Sequence, residues 1–170
     1  MKKYLLSLSL VASAFAFEVE PVTDSEMKDG CIDCHFVYQA EFLPKRSWEK
    51  MFEKSELENH FGKKVELSDG LTSKFLKYYL ENASDISESK VAGKINRSIE
   101  PDSTPLQISK VPYIVSKHED LPKEMFLENE KVKSYANCTS CHEAKKGNYE
   151  EDDVNVPNWT KRFFFGWSKK

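Results

Sequence analysis

Two five-residue stretches, Cys31-Ile32-Asp33-Cys34-His35 and Cys138-Thr139-Ser140-Cys141-His142, repeat one pattern near the two ends of the chain. C-x-x-C-H is the attachment signature of c-type haem, and the chemistry requires this spacing. On one helical turn, residues at i, i+3 and i+4 share a face. Cys31 and Cys34 can then form thioethers with the two vinyl groups of one porphyrin, and Cys138 and Cys141 with those of a second. His35 and His142 come round beneath the rings as proximal iron ligands. The two motifs use all four cysteines of the chain.

Two plainer readings compete. A C-x-x-C pair can be a redox dithiol, and two such pairs can hold one zinc ion. Neither accounts for a histidine directly after both second cysteines, and neither calls for export.

Export is written at the N-terminus. Lys2 and Lys3 form a basic start, Leu5 to Val11 begin an apolar run, and Ala14-Phe15-Ala16 has the form of a cleavage site. Residues 1–16 are therefore read as a signal peptide, cleaved after Ala16, with the mature protein in the periplasm. The apolar run is short for a membrane anchor, and no other run is long enough to span a bilayer. Exported cysteine pairs ordinarily become disulfides; here haem attachment would consume them.

The hydrophobic content of 39% is modest beside 31% charged residues. Two large, flat, mostly apolar cofactors would fill interior volume that side chains need not fill, and 11 Phe, 7 Tyr and 3 Trp suit such an interior. Removing Lys2 and Lys3 with the leader takes the formal charge from −3 to −5. That balance argues against nucleic acid and anionic membrane surfaces as partners and suits docking to basic protein surfaces.

Residues 17–29 read as polar and extended, with Gly30 turning the chain into a short helix that carries the first motif. Ser47 reads as the N-cap of a helix bearing Trp48, Met51 and Phe52. Ser68 reads as a second N-cap, before Leu71, Phe75, Tyr78, Tyr79 and Ala83 on one helical face. Residues 82–89 are polar and mark a soft boundary, dividing the chain into haem-binding domains at 17–88 and 89–170. Ser109 reads as the cap of a helix through His118, and Ser134 to Ala144 as a helix presenting the second motif, stopped by Gly147. Glu150 to Asp153 is an acidic run, and the tail 161–170 is basic and aromatic, expected to pack Phe163, Phe164, Phe165 and Trp167 on the body. No stretch sustains period-2 alternation, so the fold class is all-α with little or no sheet.

The chain has four histidines. Two belong to the motifs, and two others, His60 and His118, remain for the two distal positions. His60 lies 25 residues after His35, and His118 lies 24 residues before His142. Local pairing joins His35 with His60 and His142 with His118; a crossed pairing stays open. Met27, Met51 and Met125 are the other candidate distal ligands, and Met raises the reduction potential relative to His.

Beyond the motifs, the sequence resembles the bacterial periplasmic dihaem cytochromes c. The likeness runs through CIDCHFVYQAEFLPKRSW (31–48), His60-Phe61-Gly62, Lys117-His118-Glu119 and NCTSCHEAKKGNYEEDDVNVP (137–157). The resemblance implies an N-terminal half similar to a small monohaem cytochrome c, a different C-terminal half, and two haem c groups, each with two His ligands. It also implies other redox proteins as partners: small monohaem c-type cytochromes, including a high-spin type, and membrane b-type cytochromes. The lysine-rich tail lies outside it.

The combined expectation is a non-enzymatic, one-electron carrier with two bis-His haems. One rival is a dihaem enzyme, peroxidase-like or oxygen-reducing, with one open or displaceable distal site. The other is a haem-free zinc or dithiol module.

Overall fold

The structure, a computed structural model, describes residues 19–32, 34–162 and 166–170. The expected signal peptide, its cleavage point, Asp33 and Phe163 to Phe165 lie outside the described residues. Among the described residues, six short α-helices, joined by 3-10 turns, carry most of the regular structure: α1 Ser25–Cys31, α2 Lys45–Met51, α3 Lys54–Glu58, α4 Asp69–Glu81, α5 Lys90–Ser98 and α6 Pro112–Ser116. A two-stranded antiparallel hairpin, β1 Trp159–Arg162 with β2 Gly166–Lys169, closes the chain, Trp159 opposite Lys169. No described helix is long and apolar enough to cross a membrane.

Polar side chains start several of the helices. The Asp24 carboxylate accepts from the Met27 N–H at 3.0 Å, so α1 begins where an extended run was expected to continue. Gly30 sits in the last turn of α1 rather than ahead of a helix. It supplies room, because a Cβ there would meet Phe75 Cζ of α4 at 2.9 Å. Ser68 caps α4 as expected, accepting from the Leu71 N–H at 3.3 Å. Ser89 caps α5 through the Ala92 N–H at 3.1 Å.

Other caps differ from the sequence reading. The cap of α2 is Pro44, whose carbonyl accepts from Ser47 N–H at 2.9 Å and Trp48 N–H at 3.2 Å. Ser47 lies buried within the helix. Val111 rather than Ser109 caps α6, with Pro112 in the first turn where its missing N–H costs nothing. Residues 134–144 form no α-helix. Ser134 Oγ accepts from the Ala136 N–H at 3.1 Å, and Asn137 Nδ2 donates to the Val132 carbonyl at 3.0 Å. These local bonds outcompete a helix and leave a single 3-10 turn, Cys138–Ser140. Gly147 does end the next turn, in the left-handed conformation at φ +74°.

The interior has two apolar clusters. The larger gathers Val19, Met27, Leu43, Trp48, Phe75 and Tyr79 and continues through Val91, Ile95, Ile99 and Val111. It therefore takes in α5, beyond the boundary expected at residues 88 and 89. Trp48 stacks on Tyr79 with ring centroids 4.0 Å apart, and its indole N–H donates to the Ala40 carbonyl at 2.8 Å. Burying a side chain such as Phe75 contributes about 1.5–3 kcal/mol. The smaller cluster holds Met125, Phe126, Val132 and Val156, with Trp159 and Trp167 of the hairpin packed against it. Trp167 thus packs on the body, as expected of the tail.

Candidate haem sites

Each motif forms the same turn. The His35 N–H donates to the Cys31 carbonyl at 3.1 Å, and the His142 N–H donates to the Cys138 carbonyl at 2.9 Å. Both are i to i+4 bonds, which bring first cysteine, second cysteine and histidine to one face. The first turn extends α1; the second is the 3-10 turn alone. All four cysteines are free, and among the described residues no three His, Cys, Asp or Glu side chains converge as they would around a structural zinc. Burial pushes the thiols of Cys31 and Cys141 up, and that of Cys138 to about 11. A dithiol exchange site needs the opposite, a lowered thiol.

The two remaining histidines come to the two motifs, each to its neighbour in sequence. The rings of His35 and His60 lie 6.1 Å apart between centroids and 33° from coplanar. Those of His118 and His142 are also 6.1 Å apart, at 80°. Two metal–imidazole bonds of about 2 Å each, plus about 1 Å from nitrogen to centroid in each ring, sum to roughly 6 Å. Either pair therefore leaves the span of one iron between its rings. Met27, Met51 and Met125 are all buried in the apolar clusters. Met27 and Met51 pack in the larger and Met125 in the smaller, where Met is ordinary filling.

Neutral imidazole is what an iron ligand must be. Burial, and secondarily the facing ring, pushes His142 down to about 4 and lowers His60. His35 Nδ1 lies 2.7 Å from the Phe36 carbonyl and His118 Nδ1 2.7 Å from that of Ile114. A carbonyl only accepts, so Nδ1 carries the proton in both and Nε2 keeps its lone pair for metal.

One cavity of about 1530 Å³ runs past both motifs and all four histidines. It exceeds the roughly 300–1,000 Å³ of a single small-molecule site. Its walls include Phe42, Leu43, Trp48 and Phe75 of the larger apolar cluster and Met125, Phe126 and Val156 of the smaller. Free thiols, paired rings and apolar walls fit two haems held by thioethers.

A family model for dihaem cytochrome c matches residues 27–149. The chain belongs to the dihaem cytochrome c family. Its cofactors are accordingly two haem c groups, in a mostly helical fold. A solved diheme cytochrome c from Rhodobacter sphaeroides is 34% identical, over 77% of this chain and 100% of that one, with a TM-score of 0.67. A diheme cytochrome type c from Shewanella baltica OS155 is 29% identical, over 78% of this chain and 92% of that one, with a TM-score of 0.62. A second structure, of DHC purified from Rhodobacter sphaeroides, is 32% identical over 76% and 99%, with a TM-score of 0.57. No curated protein matches the chain.

The sequence reading missed three residues at the sites of this dihaem cytochrome: Tyr38, Gln39 and Tyr149. The Tyr38 ring lies 5.1 Å from that of His35, and the Tyr149 ring 5.3 Å from that of His142. Gln39, 1% exposed, reaches Tyr149. Tyr38 stands beside His35 by sequence, three residues on, but only the tertiary fold brings Tyr38 and Gln39 to the second motif.

Proposed function

We propose that this dihaem cytochrome is an exported one-electron carrier of the periplasm, with each iron closed by two histidines. Cys31 and Cys34 hold the first haem, with His35 proximal and His60 distal. Cys138 and Cys141 hold the second, with His142 proximal and His118 distal. The observation that carries this reading is the pair of 6.1 Å ring separations. An iron with both axial positions filled by imidazole offers no place for substrate. The haems supply reversible iron oxidation and reduction; the chain orients the ligands, excludes water and sets how close a partner can come. Transfer is then outer-sphere, one electron in from a donor and one out to an acceptor. Division into two haem-binding units, the first similar to a small monohaem cytochrome c, belongs to the same proposal.

The partners are other redox proteins: small c-type cytochromes and a membrane b-type cytochrome. The acidic run Glu150 to Asp153 follows the second motif and is exposed. Lys161 approaches Glu151 at 3.6 Å and Asp152 at 3.5 Å, which offsets part of its charge. A basic partner would be steered to this side, with an attraction screened over about 8 Å at physiological ionic strength.

The experiment is stopped-flow oxidation of the reduced protein by a small basic cytochrome at rising salt, beside a peroxide turnover assay. The carrier reading expects fast transfer that slows with salt, and negligible peroxide consumption. Rapid peroxide turnover by the intact protein would replace it with the enzyme reading. A rate indifferent to salt would remove the acidic run from docking.

A further inference from the structure

Two adjacent residues just after the first motif reach across the chain to the second. The Tyr38 hydroxyl donates to the Ala136 carbonyl at 2.6 Å, 98 residues away in sequence. The Cys138 sulfur lies 3.6 Å from the same carbonyl. The other face of the bridge is the Tyr38 ring itself, 5.1 Å from the His35 ring and tilted 35° to it. Gln39 reaches the histidine end of the same motif. Its Nε2 donates to the Ala144 carbonyl at 2.5 Å, and its Oε1 accepts from the Tyr149 hydroxyl at 2.7 Å. The Tyr149 ring lies 5.3 Å from that of His142.

The bridge is well fixed. Gln39 is fully buried, and both ends of its amide are bonded to the second motif's side of the molecule. Leaving either end unpaired would carry the desolvation cost of a buried polar group. The Tyr79 hydroxyl donates to the Tyr38 carbonyl at 3.2 Å, tying the segment to the stacked core behind it. Both motifs line one cavity, together with Tyr38, Ala136 and Tyr149, so the two cofactor sites adjoin.

We propose that Tyr38 and Gln39 couple the two haems, with Tyr38 carrying the main electronic contact between the His35 side and the Cys138 side. The inference rests on His35 and His142 being axial ligands, as in the carrier reading. The event is a single electron leaving ferrous iron at one site and arriving on ferric iron at the other. No bond forms or breaks. No proton moves, because the Tyr38 hydroxyl keeps its proton in the bond to the Ala136 carbonyl, which only accepts. A covalent run from Cys138 back to Ala136, one short hydrogen bond and one ring contact then join the sites, with few gaps for the electron to cross.

The test uses the full-length holoprotein. A brief sub-stoichiometric pulse of reducing radicals is followed by absorbance at wavelengths that separate the two haems. Tyr38→Phe keeps the ring beside His35 and removes the hydrogen bond to Ala136; Tyr38→Leu removes both. Relaxation between the haems should slow severalfold in Tyr38→Phe and further in Tyr38→Leu. In Tyr38→Phe both midpoint potentials and both low-spin spectra should stay as in the parent. A wild-type relaxation rate in Tyr38→Phe overturns the proposal. So does a slowed rate that comes with altered potentials or spectra, since that marks a merely structural role. Tyr38→Phe decides the case even if Tyr38→Leu fails to load haem. Should the parent protein itself lack two bis-His spectra, the carrier reading fails first, and visibly so.

Discussion

His118, in the turn after α6, donates its Nδ1 proton back to the carbonyl of Ile114 in that helix at 2.7 Å. His60 is held differently. Its Nδ1 is buried, and no described residue partners it. The residue after it, Phe61, takes the left-handed conformation at φ +50°, and Gly62 follows at +86°. A ring anchored by a second hydrogen bond is a better-oriented and more basic ligand. Ligand exchange should therefore be slow at both irons and less slow at the first. In cyanide titrations of the oxidised protein followed by EPR, the low-spin signal lost first should be the one missing from His60→Ala. Loss of the other signal first would contradict this asymmetry.

Gly147 holds the N-terminal segment against the second motif. The Val19 N–H donates to its carbonyl at 3.3 Å, while a Cβ at Gly147 would sit 2.0 Å from the Val19 carbonyl oxygen. The clash is with backbone, and φ is +74° besides. Gly147→Ala should cost more than about 1 kcal/mol, lowering the melting temperature by at least about 2–4 °C. Gly70, in the first turn of α4, has nothing within 4 Å of its would-be Cβ. Gly70→Ala should be neutral or stabilise by up to about 1 kcal/mol. Paired thermal melts of the two variants check both signs.

An acid-sensitive link joins α1 to α4. Lys74 Nζ lies 2.7 Å from Asp24 Oδ2 and also contacts Glu26. The lysine, and then the Met27 N–H, lower the Asp24 pKa from 3.8. A lowered folded value means stability that is present above 3.8 and lost as pH falls through the folded pKa. The groups are well exposed, so the contribution is small and screened by salt. Lys74→Gln should be slightly less stable than the parent near neutral pH, with the difference vanishing in stronger acid. Denaturation curves at several pH values test this, and a gap that widened in acid would refute the assignment.

The motifs were legible in the sequence because haem attachment is a local chemical requirement: two cysteines and a histidine on one turn. The count of four histidines suggested two ring pairs, and the folded chain brings together the rings that are neighbours in sequence, His35 with His60 and His118 with His142. Helix α4 was legible because Ser68 and the Phe75–Tyr79 face act within one element. Helix α5 was missed although Ser89 precedes Val91, Ala92 and Ile95 at helical spacing, because the polar run 82–89 before it read as a boundary. The helix expected at 134–144 was overridden by Ser134 and Asn137, whose side chains bond the nearby backbone. The Tyr38–Gln39 bridge was not legible at all, since its bonds span about a hundred positions and depend on the final fold.

Four histidines are proposed to close two irons in the pairs His35–His60 and His118–His142. The most direct measurement is the visible and EPR spectrum of His60→Ala and His118→Ala beside the parent, each with and without carbon monoxide on reduction. The parent should show two low-spin haems and little carbon monoxide binding. Each variant should lose one low-spin signal, a different one in each case, gain one high-spin haem and bind one carbon monoxide. A variant that keeps both haems low-spin with unchanged spectra would remove that histidine from the iron and contradict the account.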